Sequence, residues 1–270
     1  MVQEEVTRIS LESIAVIGRS NPHAPGGSPF SAFGTGVSIH PDGVALTCWH
    51  NLESFLRTWS LFDLGELYRE GFTATPDEMQ RHESPRAQLL KPFPPDGAYH
   101  AFPMVGGLAE RRRDLALMEL GGRGRFRPLP HMQLGTQPPE PGSQLGFIGI
   151  SHPPGTPHDS LGMPGGMAIR CDKMEVLGLD ETYVYLDYVF EKGNSGGPLF
   201  HPESMEVVAV AVGTVPAAEV PVSRKAESAV VSRAALVGDV PRMLEELKEQ
   251  AARRHAAGGL SWCGLVEAAG

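Results

Sequence analysis

The residues best suited to chemistry are a serine, a histidine and an aspartate in three separate motifs. Gly193-Asn194-Ser195-Gly196-Gly197-Pro198-Leu199 sets a serine between glycines. A serine hydroxyl attacks a carbonyl only when a base removes its proton and the chain presents it sharply. Glycines on either side permit a tight turn and bring main-chain amides close to a substrate carbonyl. The amides around Gly193, Asn194 and Ser195 are the candidate oxyanion donors, with those of Gly193 and Ser195 expected to point at the developing charge. One such donor is typically worth about 10²–10³ in turnover. A glycine-rich hairpin turn has the same composition, so this motif alone leaves both readings open.

The second motif, Thr47-Cys48-Trp49-His50, follows the turn Pro41-Asp42-Gly43. A histidine at a strand end, opening into a loop, can reach across a cleft as a general base. One surface histidine among ten is the blander reading. The third motif is Asp114-Leu115-Ala116-Leu117-Met118-Glu119-Leu120, an acid that opens an apolar strand. A partly buried carboxylate there can accept from an imidazole and fix its tautomer, whereas an aspartate at a strand start is also an ordinary turn residue. Together the three are more specific. They run His50, Asp114, Ser195 along the chain, the order found in chymotrypsin-like enzymes.

The elements that must position them read mainly as strands. Residues 11–18 and 34–40 are apolar strand patterns, and Pro41-Asp42-Gly43 turns the chain back into Val44 to Thr47. Gln144 to Ile150, Tyr183 to Val189 and Val207 to Val212 continue the rhythm of strand and turn. Two stretches break it. From Leu52 to Phe72, apolar residues including Leu52, Phe55, Leu56, Trp59, Phe62, Leu67 and Tyr68 recur at near-helical spacing, followed by a proline-rich loop through Pro103. From Val240 to Arg254, Val240, Met243, Leu244 and Leu247 form one helical face, with Asp239 as the N-cap and Pro241 in the first turn.

With these pieces in place the chain resembles the trypsin/HtrA superfamily of serine peptidases. Gly34-Thr35-Gly36-Val37, Pro41-Asp42-Gly43, Leu46 to His50, Asp114 to Leu117 and Gly193 to Leu199 are similar to that family's successive motifs. Pro141 to Gly149 resembles the strand after its interdomain linker, and the likeness spans about residues 12–250. The resemblance implies an all-β fold of two six-stranded antiparallel barrels with a helical insertion and a C-terminal helix. Its implied boundaries are a first barrel over 11–130 with insertion 52–103, a second over 131–235, a helix over 240–254 and a tail over 255–270. The implied function is serine endopeptidase, with His50, Asp114 and Ser195 as the triad and an extended peptide paired in the cleft. A protease-fold binding module without activity is the alternative.

The family pattern also implies which residues line the substrate pocket: Val189, Phe190, Glu191 and Lys192 before the serine, then Val212, Gly213, Thr214 and Val215. No aspartate stands among them as a selector for basic side chains. An apolar lining favours a small or medium aliphatic residue at the cleaved position, although Lys192 offers an acidic one a partner. Two departures from the pattern bear on mechanism. The family's usual Thr-Asn-Ala-His-Val is here Thr47-Cys48-Trp49-His50-Asn51. Asn194 stands where digestive trypsins carry an acid that pairs with a newly cleaved N-terminus, so activation by trimming is not expected. The insertion over 52–103 is expected as decoration, lid or docking surface for a regulatory protein.

Other classes find little support. The net charge is −9, which gives no overall attraction to nucleic acid. No apolar run approaches the length of about 20 residues needed for a membrane helix, and no secretory leader pattern opens the chain, so a cytoplasmic location is expected. Cys48, Cys171 and Cys263 are widely spaced, and His152 and His158 lie in a Pro/Gly-rich loop; neither set has metal-ligand spacing, so no metal or cofactor is expected. Gly193 to Gly197 does fit the Gly-x-Ser-x-Gly of α/β esterases, but those enzymes place the serine before the acid and histidine.

Overall fold

A computed structural model describes residues 12–20, 30–58, 72–73, 85–89, 100–120, 129–151, 168–221 and 228–256. The first half contains strands β1 (Ile14–Ser20), β2 (Phe30–His40), β3 (Val44–Cys48), β4 (Phe72–Thr73), β5 (Pro85–Leu89), β6 (His100–Glu110) and β7 (Leu115–Leu120). Helix α1 (Trp49–Thr58) follows β3 without a break. The antiparallel order is β5-β1-β2-β3-β7, and β6 pairs with both β5 and β7, which closes these six strands into a ring. The short β4 adds to β6 outside that ring.

The second half contains β8 (Gln144–Ser151), β9 (Ala168–Leu179), β10 (Tyr183–Leu186), β11 (Pro198–Phe200), β12 (Val207–Pro216) and β13 (Val230–Leu236). They form a closed barrel in the order β10-β13-β12-β11-β8-β9. Helix α2 (Val240–Ala256) ends the described chain. The architecture is therefore the all-β, two-barrel arrangement of the chymotrypsin-like fold. No helix among the described residues is long and apolar enough to cross a membrane.

Why several strands read as unbroken apolar runs is clear from the two cores. On β8, Leu145 and Phe147 enter the interior of the second barrel, while Ile148 and Ile150 join a core shared with the first. On β12, Ala209 and Ala211 face the interior, and Val210 and Val212 face the shared core. A strand covered on both faces has no solvent side and loses its alternation. Val240, Met243, Leu247 and Ala251 of α2 pack into the same shared core, whereas Leu244 is only partly buried beside it. Asp239 does occupy the N-cap position, its carbonyl accepting from Met243 N at 3.0 Å. Its carboxylate, however, pairs with Arg113 Nη1 at 2.9 Å.

The segment 52–103 differs from the expected insertion. Helix α1 begins at Trp49, before it, and the segment supplies β5 and the first residues of β6, without which the first ring would stay open. Pro85-Arg86-Ala87-Gln88-Leu89 has no strong apolar alternation, so its role as a barrel strand comes from pairing with β1 and β6. Where the expected proline-rich loop is described, at 85–89 and 100–103, it is strand; its remaining residues, the expected helix from 59 to 71, His152, His158, Cys263 and the tail beyond Ala256 lie outside the described residues.

The turn after β2 carries a titration that stability should report. His40 Nδ1 accepts from Asp42 N at 3.2 Å, which suits a neutral ring. Burial, the largest influence, lowers its pKa below 6.5; Lys248 and His131 act in the same direction, and Asp42 and Glu245 oppose them. A histidine with a lowered folded pKa contributes stability that is fully present above its unfolded value of about 6.5 and is lost as pH falls through the folded value. Thermal unfolding of His40→Gln is expected to fall less than wild type between about pH 7.5 and 5.5. An identical fall in both proteins would remove His40 from the explanation.

Candidate active site

His50 and Asp114 are joined by two routes. Asp114 follows a short 3-10 turn (Arg111–Arg113) and adopts φ 55°, ψ 38°, a left-handed conformation in which aspartate is among the better-tolerated side chains. Its amide bonds to Arg111 O at 3.2 Å, and its carbonyl accepts from Trp49 N at 3.0 Å. One carboxylate oxygen, Oδ1, accepts from His50 N at 2.9 Å; the other, Oδ2, lies 2.5 Å from His50 Nδ1. A carboxylate that accepts requires the proton on Nδ1, which leaves Nε2 as the acceptor. The Asp114 side chain is 19% exposed and that of His50 is 40% exposed. His50 thus stands in the first turn of α1, not in a loop after the strand as expected, because helix and strand meet at Cys48 and Trp49. Trp49 itself is buried in the core.

Ser195 belongs to the turn between β10 and β11, on the second barrel. Its Oγ donates to Val212 O at 3.2 Å. Among the described residues it makes no bond to His50. Gly193 and Gly196 adopt φ of 94° and 87°, which only glycine reaches easily. The turn's main chain is nearly fully paired. Asn194 N donates to Glu191 O at 3.1 Å, Gly196 N to Ala211 O at 2.8 Å and Gly197 N to Asn194 O at 2.9 Å. Among the described residues the amides of Gly193 and Ser195 donate to no protein acceptor. The amide of Asn194, expected as a third donor, is spent on Glu191 and leaves the set.

Asn194 is fully buried. Its Oδ1 accepts from Glu191 N at 2.8 Å and its Nδ2 donates to Ile150 O at 2.9 Å. Both ends of the side chain are therefore satisfied by the main chain of its own barrel, where a carboxylate would need a cation. Cys48 lies beneath the histidine pair, and its Sγ donates to Ala211 O at 2.9 Å. Burial first, then the Asp114 charge, push this thiol well above the usual range, against a lowering from the Gly196 amide. Donor atoms of Cys48, His50 and Asp114 do lie within 4.8 Å of one another. A protonated thiol already bonded to a carbonyl, beside a proton shared by imidazole and carboxylate, is a poor metal set.

The fold agrees with comparison against known proteins. A profile of the trypsin-like peptidase domain matches residues 34–210, well over half of the chain. The chain belongs to the trypsin-like peptidase family. No curated protein matches it. Among solved structures, this peptidase domain is similar to the MamO protease domain from Magnetospirillum magneticum in its apo form, with a TM-score of 0.52 and 13% identity over 87% of this chain and 97% of that one. It is also similar to the Rv3671c protease from M. tuberculosis in its active form, with a TM-score of 0.51 and 15% identity over 89% and 83% of the two chains. These likenesses are ones of fold.

Of the residues expected to line the pocket, Val212 meets Ser195 through its carbonyl, while its side chain is buried in the shared core. Val189 is 50% exposed, and Phe190 packs against Phe147 and Tyr188 with ring centroids 5.2 and 5.6 Å away. Phe190 N donates to the buried Ser232 Oγ at 2.8 Å, a contact that sequence reading missed because Ser232 lies on β13, itself unrecognised. Glu191 pairs with Arg170 at 2.8 Å on the rim. Among the described residues, a Cβ on Gly213 would meet no atom within 4 Å, so none of them fills the space beside it.

Gly196 is the tightest of the described glycines. A Cβ there would stand 1.9 Å from Thr35 O and 2.3 Å from Thr47 Oγ1. Gly196→Ala is expected to cost more than the roughly 1–3 kcal/mol of a disfavoured φ, because main-chain atoms must also move. Chemical unfolding measures this directly; a loss under about 1 kcal/mol would mean the turn can relax away from β2.

Proposed function

We propose that this peptidase domain is a serine endopeptidase, with Ser195 as nucleophile, His50 as general base and Asp114 as its partner. The observation that carries the reading is the pair of unspent amides, Gly193 N and Ser195 N, beside a serine in a turn whose other amides are paired. Donors of this kind act where charge develops. In the proposed reaction the Ser195 hydroxyl leaves Val212 O, gives its proton to His50 Nε2 and attacks the peptide carbonyl. The tetrahedral oxyanion is held by the two amides. Asp114 stabilises the imidazolium, which then donates its proton to the leaving amine. Water, deprotonated by His50, releases the acyl group and restores the hydroxyl.

The satisfied side chain of Asn194 supports activity in the uncut chain, since no terminal ammonium is required to hold the turn. The space at Gly213 that no described residue fills and the exposed Val189 support a small or medium aliphatic residue at the cleaved position, where each fitted methylene is worth about 1–3 kcal/mol. One observation favours the second reading, a latent or binding form: the hydroxyl of Ser195 rests on Val212 O.

A fluorophosphonate probe separates the two. Wild type is expected to label, Ser195→Ala not at all, and His50→Ala at least about 10²-fold more slowly. Cleavage of a peptide library should then favour Val, Ala or Leu before the scissile bond. Folded wild type that resists the probe would overturn the enzymatic reading, and a dominant arginine preference would overturn the pocket assignment.

A further inference from the structure

We propose that Thr35 and Asn51, both on the first barrel, are positioning residues that hold the oxyanion-binding amides of Gly193 and Ser195 in place from across the cleft. This rests on the reading of Ser195 as nucleophile. Thr35 is fully buried on β2 and uses every polar group it has. Its Oγ1 donates to Gly193 O at 2.7 Å and accepts from Ile150 N at 2.9 Å. Its amide donates to Ser195 O at 2.8 Å, and its carbonyl accepts from Thr47 Oγ1 at 2.7 Å. Asn51, in the first turn of α1 and 3% exposed, donates through Nδ2 to Ser195 O at 2.9 Å and to Thr47 Oγ1 at 3.1 Å.

The consequence follows from planar peptides. In the Gly193–Asn194 peptide, Thr35 Oγ1 holds the carbonyl and Glu191 O holds the amide. In the Ser195–Gly196 peptide, Thr35 N and Asn51 Nδ2 hold the carbonyl and Ala211 O holds the amide. A plane fixed at both its oxygen and its N–H cannot turn. These two planes flank the one that carries Ser195 N, whose own carbonyl, Asn194 O, is held by Gly197 N. The Gly193 amide belongs to the preceding Lys192–Gly193 peptide, which joins the first held plane through ψ and φ of Gly193, so a turn of that plane carries the amide with it. Take away the threonine hydroxyl and Gly193 O loses its described partner in a buried place, so the plane gains a reason to rotate. His50 and Asn51 are neighbours on α1, so the helix that presents the base also grips the nucleophile's carbonyl.

The test compares wild type with Thr35→Val, Thr35→Ser and Asn51→Leu, by turnover of an ester or peptide substrate and by crystal structures of each variant. Thr35→Val and Asn51→Leu are expected to lose about 10–100-fold in kcat with KM within about threefold, a fraction of what a whole oxyanion donor supplies. Thr35→Ser, which keeps the hydroxyl, should recover most of that loss. The crystal structure of Thr35→Val should show the Gly193 amide turned away from that of Ser195. Should one variant not fold, the other carries the comparison. Folded variants with wild-type kcat and unmoved amides would overturn the positioning role while leaving the nucleophile reading intact. If wild type itself shows neither turnover nor labelling, the nucleophile reading fails, and the crystal structures decide the positioning role alone: rotated amides keep it and unmoved ones end it.

Discussion

The approach of β2 to the turn at residues 193–197 is so close that hydrogen is the largest substituent Gly196 can carry against Thr35 O and Thr47 Oγ1. That closeness allows Thr35 N to reach Ser195 O at 2.8 Å and Thr35 Oγ1 to reach Gly193 O at 2.7 Å. A longer gap would admit water and leave the turn's geometry to the second barrel alone. Here the carbonyls of Gly193 and Ser195 are taken up by the first barrel, and the amides of the same residues are left without described partners. The site is therefore a property of the seam between the barrels, not of either one. The shared apolar core under it, with Val210 and Val212 from one side and Leu46 and Leu115 from the other, fixes how the two halves meet.

Asymmetry in the polar groups follows the same logic. His50 and Asp114 are tied together within the first barrel, by an imidazole bond and by a main-chain bond to the same carboxylate. Ser195 stands on the second barrel, where its carbonyl accepts from Asn51, the residue after His50. Asn194, satisfied by Glu191 N and Ile150 O, stiffens the turn from within the second barrel, while Thr35 and Asn51 stiffen it from the first. Burying the side chains of Thr35 and Asn194 is tolerable because each of their polar atoms has a partner; breaking one bond leaves its mate exposed to the full desolvation cost.

How far this was legible in the sequence depended on whether the determinant was local. The serine motif, the turn at Pro41-Asp42-Gly43 and the continuous run Val207 to Val212 announce themselves, since glycine, turn residues and two-sided burial leave local marks. Strands β5 and β13 do not, because Pro85-Arg86-Ala87-Gln88-Leu89 and Val230 to Leu236 are made strands by distant partners. Asp114 is at once the ordinary turn residue and the carboxylate that faces His50; sequence offered these as alternatives and the left-handed backbone unites them. Asn51 was visible as a departure from the family's wording, but its use was not: it bonds a main-chain carbonyl 144 residues away, and carbonyls leave no trace in side-chain pattern.

The central claim is that Gly193 N and Ser195 N are poised to hold a developing negative oxygen. A crystal structure of the chain after reaction with a small fluorophosphonate tests it most directly. The account predicts phosphorus bonded to Ser195 Oγ, with its anionic oxygen about 2.7–3.1 Å from both amides and the serine no longer resting on Val212 O. A phosphonyl oxygen turned to solvent, with either amide unused, would contradict it.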